Sequence, residues 1–225
     1  SGDLTDVAVV LRPGGSITGT VTFQSTEKQV PNDLTQIRIA APALDSANFG
    51  PNPNARVEKD GRFTLDGVPA GPHFVRPNGG GALRGWTLKS VLIGGRDVTD
   101  TPVEVRSGET LANVAVVFTD ALTEVNGTLS DSQSAPVTDV TVLAFSSDPA
   151  LWRPQSRHIT TTRPDQTGKF RIRGLPPGEY YLVAVDPAEQ GEWFEPAYLD
   201  EHRADAIRIT LGEGQTKTQD FRVRR

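Results

Sequence analysis

The chain has 225 residues, a net charge of −5 and neither cysteine nor methionine, which suits two domains of roughly 105 to 110 residues and excludes disulfides and thiolate metal sites. Its 23 basic and 28 acidic residues are interspersed without a basic stripe, so the electrostatic footprint of a nucleic-acid binder is missing. No apolar run approaches the ~18 residues a membrane helix needs, and 22 glycines with 17 prolines between short apolar runs read as tight turns joining many short strands.

The chain opens without methionine or a leader, as a processed or excised segment would. Its first run, Ser1-Gly2-Asp3-Leu4-Thr5-Asp6-Val7-Ala8-Val9-Val10-Leu11, ends in five apolar residues with no polar face. Ile17 to Phe23 alternates apolar and polar residues, as does Ile37-Arg38-Ile39, so both read as half-buried strands. Asp60-Gly61 supplies a hairpin turn, and Arg62 to Leu65 follows with Phe63 and Leu65 on one face. Gly67 to Gly71 is a second turn, after which Phe74 and Val75 begin another strand. Trp86 to Ile93 is the longest strand, turned by Gly94-Gly95, and Trp86 belongs to the core. Val103 to Val105 and Val114 to Phe118 close the first module.

The plan then repeats with strands at Glu124 to Leu129, Val140 to Phe145, His158 to Thr162, Phe170 to Arg173, Tyr180 to Val185, Ile207 to Leu211 and Asp220 to Arg224. Only Glu195 to Ala206 reads as helical, with Pro196 suited to a first helical position. Asp60-Gly61-Arg62-Phe63 through Gly67-Val68-Pro69-Ala70-Gly71 returns as Thr167-Gly168-Lys169-Phe170 through Gly174-Leu175-Pro176-Pro177-Gly178 at one constant offset. That period is too long for a solenoid turn and right for a small domain. About seven short strands per module make an all-β fold: two tandem antiparallel β-sandwiches, at residues 12–118 and 119–225.

Ser107-Gly108-Glu109-Thr110-Leu111-Ala112-Asn113-Val114-Ala115-Val116-Val117 repeats the opening run. Residues 1–11 therefore read as a surplus strand, belonging or donated to a neighbouring module. An unpaired apolar strand is an aggregation hazard, so something must cover Val7, Val9, Val10 and Leu11. By contrast, Asp220, Arg222 and Arg224 give the last strand a polar, blunted face opposite Phe221 and Val223.

The glycine, phenylalanine and proline pattern at Gly19, Gly61, Phe63, Gly67, Pro69, Gly71 and Phe74, and again at Gly127, Gly168, Phe170, Gly174, Pro176, Gly178 and Tyr180, resembles the carboxypeptidase regulatory-like domain, a transthyretin-like sandwich. The run from Leu151-Trp152-Arg153-Pro154 through Trp193-Phe194-Glu195-Pro196 resembles repeat arrays of secreted and envelope proteins of environmental bacteria. The resemblance implies a non-catalytic module exported to the cell surface, in tandem, sometimes grouped with carbohydrate-binding folds. Mechanically, the glycine makes the turn, the aromatic fills the gap between sheets, and Gly-Leu-Pro-Pro-Gly fixes a corner to the opposite sheet.

Catalytic motifs are missing: no Gly-x-Ser-x-Gly elbow, no His-Glu-x-x-His and no phosphate-cradling loop. His73, His158 and His202 fall in dissimilar contexts, and neither a metal nor another cofactor is expected. Asp97 with Asp100, and Asp131 with Asp139, lack calcium-loop spacing and read as turn carboxylates. Of Lys28, Lys59, Lys89, Lys169 and Lys217, none lies in a module's opening strand, where an isopeptide bond would need it. Two readings remain. One is a non-enzymatic spacer or assembly subunit whose partners are like chains or adjacent modules. The other is a glycan-binding module using Trp152, Trp193, Phe194 and Tyr198, against which stands the packing of those rings as a satellite core.

Overall fold

A computed structural model describes residues 13–44, 52–154, 156–187 and 191–223; the surplus strand Val7–Leu11 lies outside them. Among the described residues the fold is β throughout except for short 3-10 turns and one helix, α1 (Pro196–Arg203), with Pro196 in its first turn. Two compact units are present. One comprises Ser1–Gln24, Gln29–Arg84 and Leu88–Phe118; the other comprises Thr119–Arg225 with two short excursions, Ser25–Lys28 and Gly85–Thr87.

The first unit contains β1 (Gly15–Gln24), β2 (Arg38–Ala40), β3 (Asn54–Arg56), β4 (Arg62–Val68), β5 (Gly71–His73), β6 (Arg76–Asn78), β7 (Thr87–Ile93), β8 (Arg96–Asp97), β9 (Val103–Val105) and β10 (Thr110–Thr119). One sheet runs β4-β1-β10-β7-β8, and the remaining strands pair as β3-β2-β6 and β5-β9. Phe63 and Leu65 are buried while Arg62, Thr64 and Asp66 are exposed, the alternation of a strand with one face to the core. Phe74 and Val75, expected to start a strand, fall between β5 and β6. There the chain changes partner, from β9 to β2.

The second unit contains β11 (Glu124–Ser130), β12 (Thr141–Ser146), β13 (Ile159–Thr162), β14 (Lys169–Arg173), β15 (Gly178–Val185), β16 (Ile207–Leu211), β17 (Thr216–Thr218) and β18 (Phe221–Arg222). One sheet runs β14-β11-β17, with β18 also on β11, and the other runs β13-β12-β15-β16. Val125, Leu129, Phe170 and Ile172 of the first sheet pack with Val142, Tyr180, Leu182 and Ile209 of the second in one core. All six residues of β12 are buried. Its inner face meets that core, and Leu143 and Phe145 on its outer face meet a second cluster holding Leu199 of α1. A strand covered on both faces loses its polar alternation.

The Asp60-Gly61 turn closes locally as a hairpin, but the strands on its two sides diverge to different partners. β3 pairs with β2, whereas β4 pairs with β1, so the turn carries the chain from one sheet to another. Gly61 N–H donates to Glu58 O at 3.0 Å and Glu58 N–H to Arg62 O at 2.7 Å, and Asp165, Gly168 and Lys169 repeat both bonds at 2.9 and 2.8 Å. Gly61 and Gly168 take φ of +86° and +75°, the left-handed region that glycine enters without steric cost.

Candidate functional site

The repeated residues meet the same partners in both units. Gly19 stands opposite Phe63 across β1 and β4, and Gly127 opposite Phe170 across β11 and β14. After each Gly-x-Pro corner, one buried polar ring reaches back four residues. Tyr180 Oη donates to Pro176 O at 2.7 Å, and His73 Nε2 lies 2.9 Å from Pro69 O, with its Nδ1 2.8 Å from Ala41 O. Because the Tyr180 hydroxyl gives its one proton to Pro176, it accepts at 2.9 Å from His158 Nδ1–H, which fixes that tautomer. His202 lies elsewhere, against Tyr198 on α1 at a centroid distance of 4.4 Å. Among the described residues, no three His, Asp or Glu side chains gather as metal ligands.

The four aromatics expected in loops converge on the outer face of the second sheet, Tyr198 from α1 rather than from a loop. Trp152 is 7% exposed, packs edge-on to Phe145 at 5.6 Å, and donates from Nε1 to Ser146 O at 2.7 Å. Trp193, Phe194 and Tyr198 are half-buried against the same cluster. Burial raises the Tyr198 phenol, reinforced by the charges of Glu192, Glu201 and Asp186. The Trp152 indole is thus packed on protein, while its three neighbours stay partly exposed.

Turn carboxylates are held by local N–H groups. Asp97 Oδ1 accepts from Thr99 N–H at 2.8 Å, and Asp131 Oδ1 from Gln133 and Ala135 N–H at 2.8 and 2.9 Å. Asp100 pairs with Arg76 at 3.7 Å. The Thr167 hydroxyl, with the Thr167 and Lys169 N–H groups, holds Asp165 below the usual carboxylate range. Asp120 is the most heavily bonded. It accepts from the N–H groups of Thr26, Glu27 and Lys28 at 2.8–3.0 Å and from the Ser25 and Thr26 hydroxyls at 3.0 Å.

A further feature, missed in the sequence, is a difference between the two units. In the first, the segment between β6 and β9 forms the β7–β8 hairpin, so β10 lies between β1 and β7. In the second, the segment between β15 and β16 forms α1, which packs on the outer face of the second sheet. The counterpart of β10, the β17–β18 strand, therefore pairs with β11 alone among the described residues. Gln215 O and the N–H groups of Gln219 and Val223 turn toward β11. By the alternation of a parallel ladder, Thr216, Thr218 and Arg222 turn theirs away. Beside this edge, a groove of about 680 Å³ is lined by Ala184, Ile207, Phe221 and Val223, with Asp205 and Arg222 at its margin.

Residues 124–224 match the carboxypeptidase regulatory-like domain. No curated protein matches the sequence. Among solved structures, the chain is similar to the TIE protein of Bacillus anthracis (14% identity, TM-score 0.32), over 95% of this chain and 34% of that one. It therefore spans about a third of that protein's length. It is also similar to the minor pilin GBS52 of Streptococcus agalactiae (11% identity, TM-score 0.32, 93% of this chain and 95% of that one). Over 45% of its length it is similar to 5-hydroxyisourate hydrolase of Klebsiella pneumoniae (20% identity, TM-score 0.28, 90% of that chain). At these identities and scores the likeness assigns no activity.

Proposed function

We propose that the chain is a non-enzymatic structural module of the cell exterior, a tandem spacer whose opening strand Val7–Leu11 pairs with a neighbouring copy and carries assembly. The observation behind this reading is that the repeated residues are consumed by the fold. Gly19 and Gly127 admit a neighbouring strand, Phe63 stands opposite Gly19, and the Phe170 ring fills the space opposite Gly127. His73 and Tyr180 brace the two proline corners. The domain match over 124–224 and the resemblance to envelope repeat arrays support an exported location. The same properties suit an accessory segment of a longer secreted or outer-membrane protein.

Sedimentation of the full chain against a chain lacking residues 1–11, with negative-stain microscopy, tests the reading. Concentration-dependent fibres that vanish on deletion are expected, and assembly unchanged by deletion would sink strand donation. The competing reading, glycan binding, rests on the partly exposed rings of Trp193, Phe194 and Tyr198. Failure of the full chain to be retained on immobilised polysaccharides would dismiss it.

A further inference from the structure

We infer that the acceptor of the donated strand is the outer edge of β17–β18, unpaired among the described residues, in a second copy of this chain. This rests on the assembly reading above and names the surface that reading requires.

Three observations converge on that edge. First, the chain shows how its other unit closes the same position: β7 lies along β10, and its Val91 is fully buried. The second unit has the equivalent strand without that neighbour among the described residues. Second, the outward backbone groups of Thr216, Thr218 and Arg222 form a row that an extended segment can pair with. The groove beside them offers Phe221, Val223, Ala184 and Ile207 as half-buried apolar contacts. Strand addition takes its affinity from such a ladder and its specificity from pockets under alternate side chains. Third, this chain carries a segment of fitting chemistry. Val7-Ala8-Val9-Val10 repeats Val114-Ala115-Val116-Val117, and in β10 that sequence lies between two strands with Val114 and Val116 fully buried. A donor ahead of β1 and an acceptor in the second unit make a head-to-tail contact, which propagates unless the rotation closes a ring.

The β14 edge is less suited. β14 alternates Lys169, Arg171 and Arg173 with its apolar residues, the charged pattern that discourages edge pairing.

The test uses the full chain. Thr218→Pro removes an outward N–H while leaving the β11 ladder intact, since proline is tolerated at a free edge. It is expected to convert concentration-dependent oligomers to monomers with an unchanged unfolding curve. Val9→Asp should do the same from the donor side. Mixing the two variants should rebuild a single interface and stop at dimers. Cysteine pairing gives a reading that does not depend on how proline is accommodated. The native chain has no cysteine, so Val9→Cys combined with Thr216→Cys, Thr218→Cys or Arg222→Cys should yield a disulfide-linked ladder on oxidation. Suppose Val9→Asp blocks assembly, Thr218→Pro does not, and no cysteine pair gives a ladder. The acceptor is then wrong, while strand donation stands. Assembly of Val9→Asp at the wild-type level, or a wild-type chain monomeric even at millimolar concentration, overturns both.

Discussion

Gly127 faces Phe170 across the β11–β14 ladder, and a Cβ built on Gly127 would sit 1.9 Å from Gln219 O and 2.6 Å from the Phe170 ring. Gly19 repeats the relationship, its Cβ falling 1.9 Å from Val114 O. The space is therefore created by a missing side chain and filled in both units by a neighbouring backbone, joined in the second by the Phe170 ring. Gly127→Ala should destabilise the second unit by about 3 kcal/mol, the upper part of the usual overpacking range. Gly81, whose Cβ would meet nothing within 4 Å, is the control: Gly81→Ala should stay within about 0.5 kcal/mol. Denaturant titration followed by unit-resolved hydrogen exchange distinguishes the two, and equal effects would contradict the packing account.

Tyr180 joins the proline corner to His158 through one hydroxyl. Tyr180→Phe keeps the ring and leaves Pro176 O and His158 Nδ1 without that partner in a fully buried site. A loss of about 1–3 kcal/mol in the second unit is expected, the cost of stranding buried polar atoms. The His158 ring signals in an NMR spectrum should shift as the Nδ1 proton loses its acceptor. Wild-type stability in this variant would show that the hydroxyl does not brace the corner.

The Asp120 carboxylate is held far below the usual carboxylate range, chiefly by Glu27 N–H and then by Lys28 N–H, Thr26 N–H and the Ser25 hydroxyl, against a cost of desolvation. Its folded pKa is depressed, so its contribution is complete above the unfolded value of about 3.9 and is lost as pH falls through the folded value. Amide exchange at Thr26, Glu27 and Lys28 should stay slow from neutral pH down past the titration of ordinary carboxylates. In Asp120→Asn the same amides should exchange faster at neutral pH and lose this acid dependence. Protection that collapses between pH 5 and 4 in the wild type would refute the depressed carboxylate.

Strands with an apolar–polar alternation were legible because burial of one face writes itself into the sequence. β1, β4, β11 and β14 belong to this group, and their signature glycines and aromatics marked the repeat. Asn54–Arg56, Arg96–Asp97 and Thr216–Thr218 carried no such signal, since they are held by the backbone of a neighbouring strand rather than by a buried face of their own. The sheet change at Asp60-Gly61 was illegible for a related reason. A turn residue reports its own φ, and the partner of the next strand is set by distant residues. The open edge at β17–β18 could be found only by comparing the units in space. The segments that differ, β7–β8 and α1, share no sequence pattern that would announce their exchange of roles.

Trp152 decides between the two roles considered for the loop aromatics. Its indole is buried against Phe145 and hydrogen-bonded to Ser146 O, beneath a helix whose Leu199 is fully buried in the same cluster. Truncating such a ring leaves a cavity under α1, so Trp152→Ala should cost about 3–5 kcal/mol and loosen the helix, visible as faster amide exchange at Leu199. Trp193 is half-buried at the margin of the cluster, and Trp193→Ala should cost markedly less. A sugar platform would reverse this order of effects: both substitutions would leave unfolding unchanged and abolish retention on polysaccharide. The closed packing around Trp152 makes stability, rather than retention, the property expected to respond.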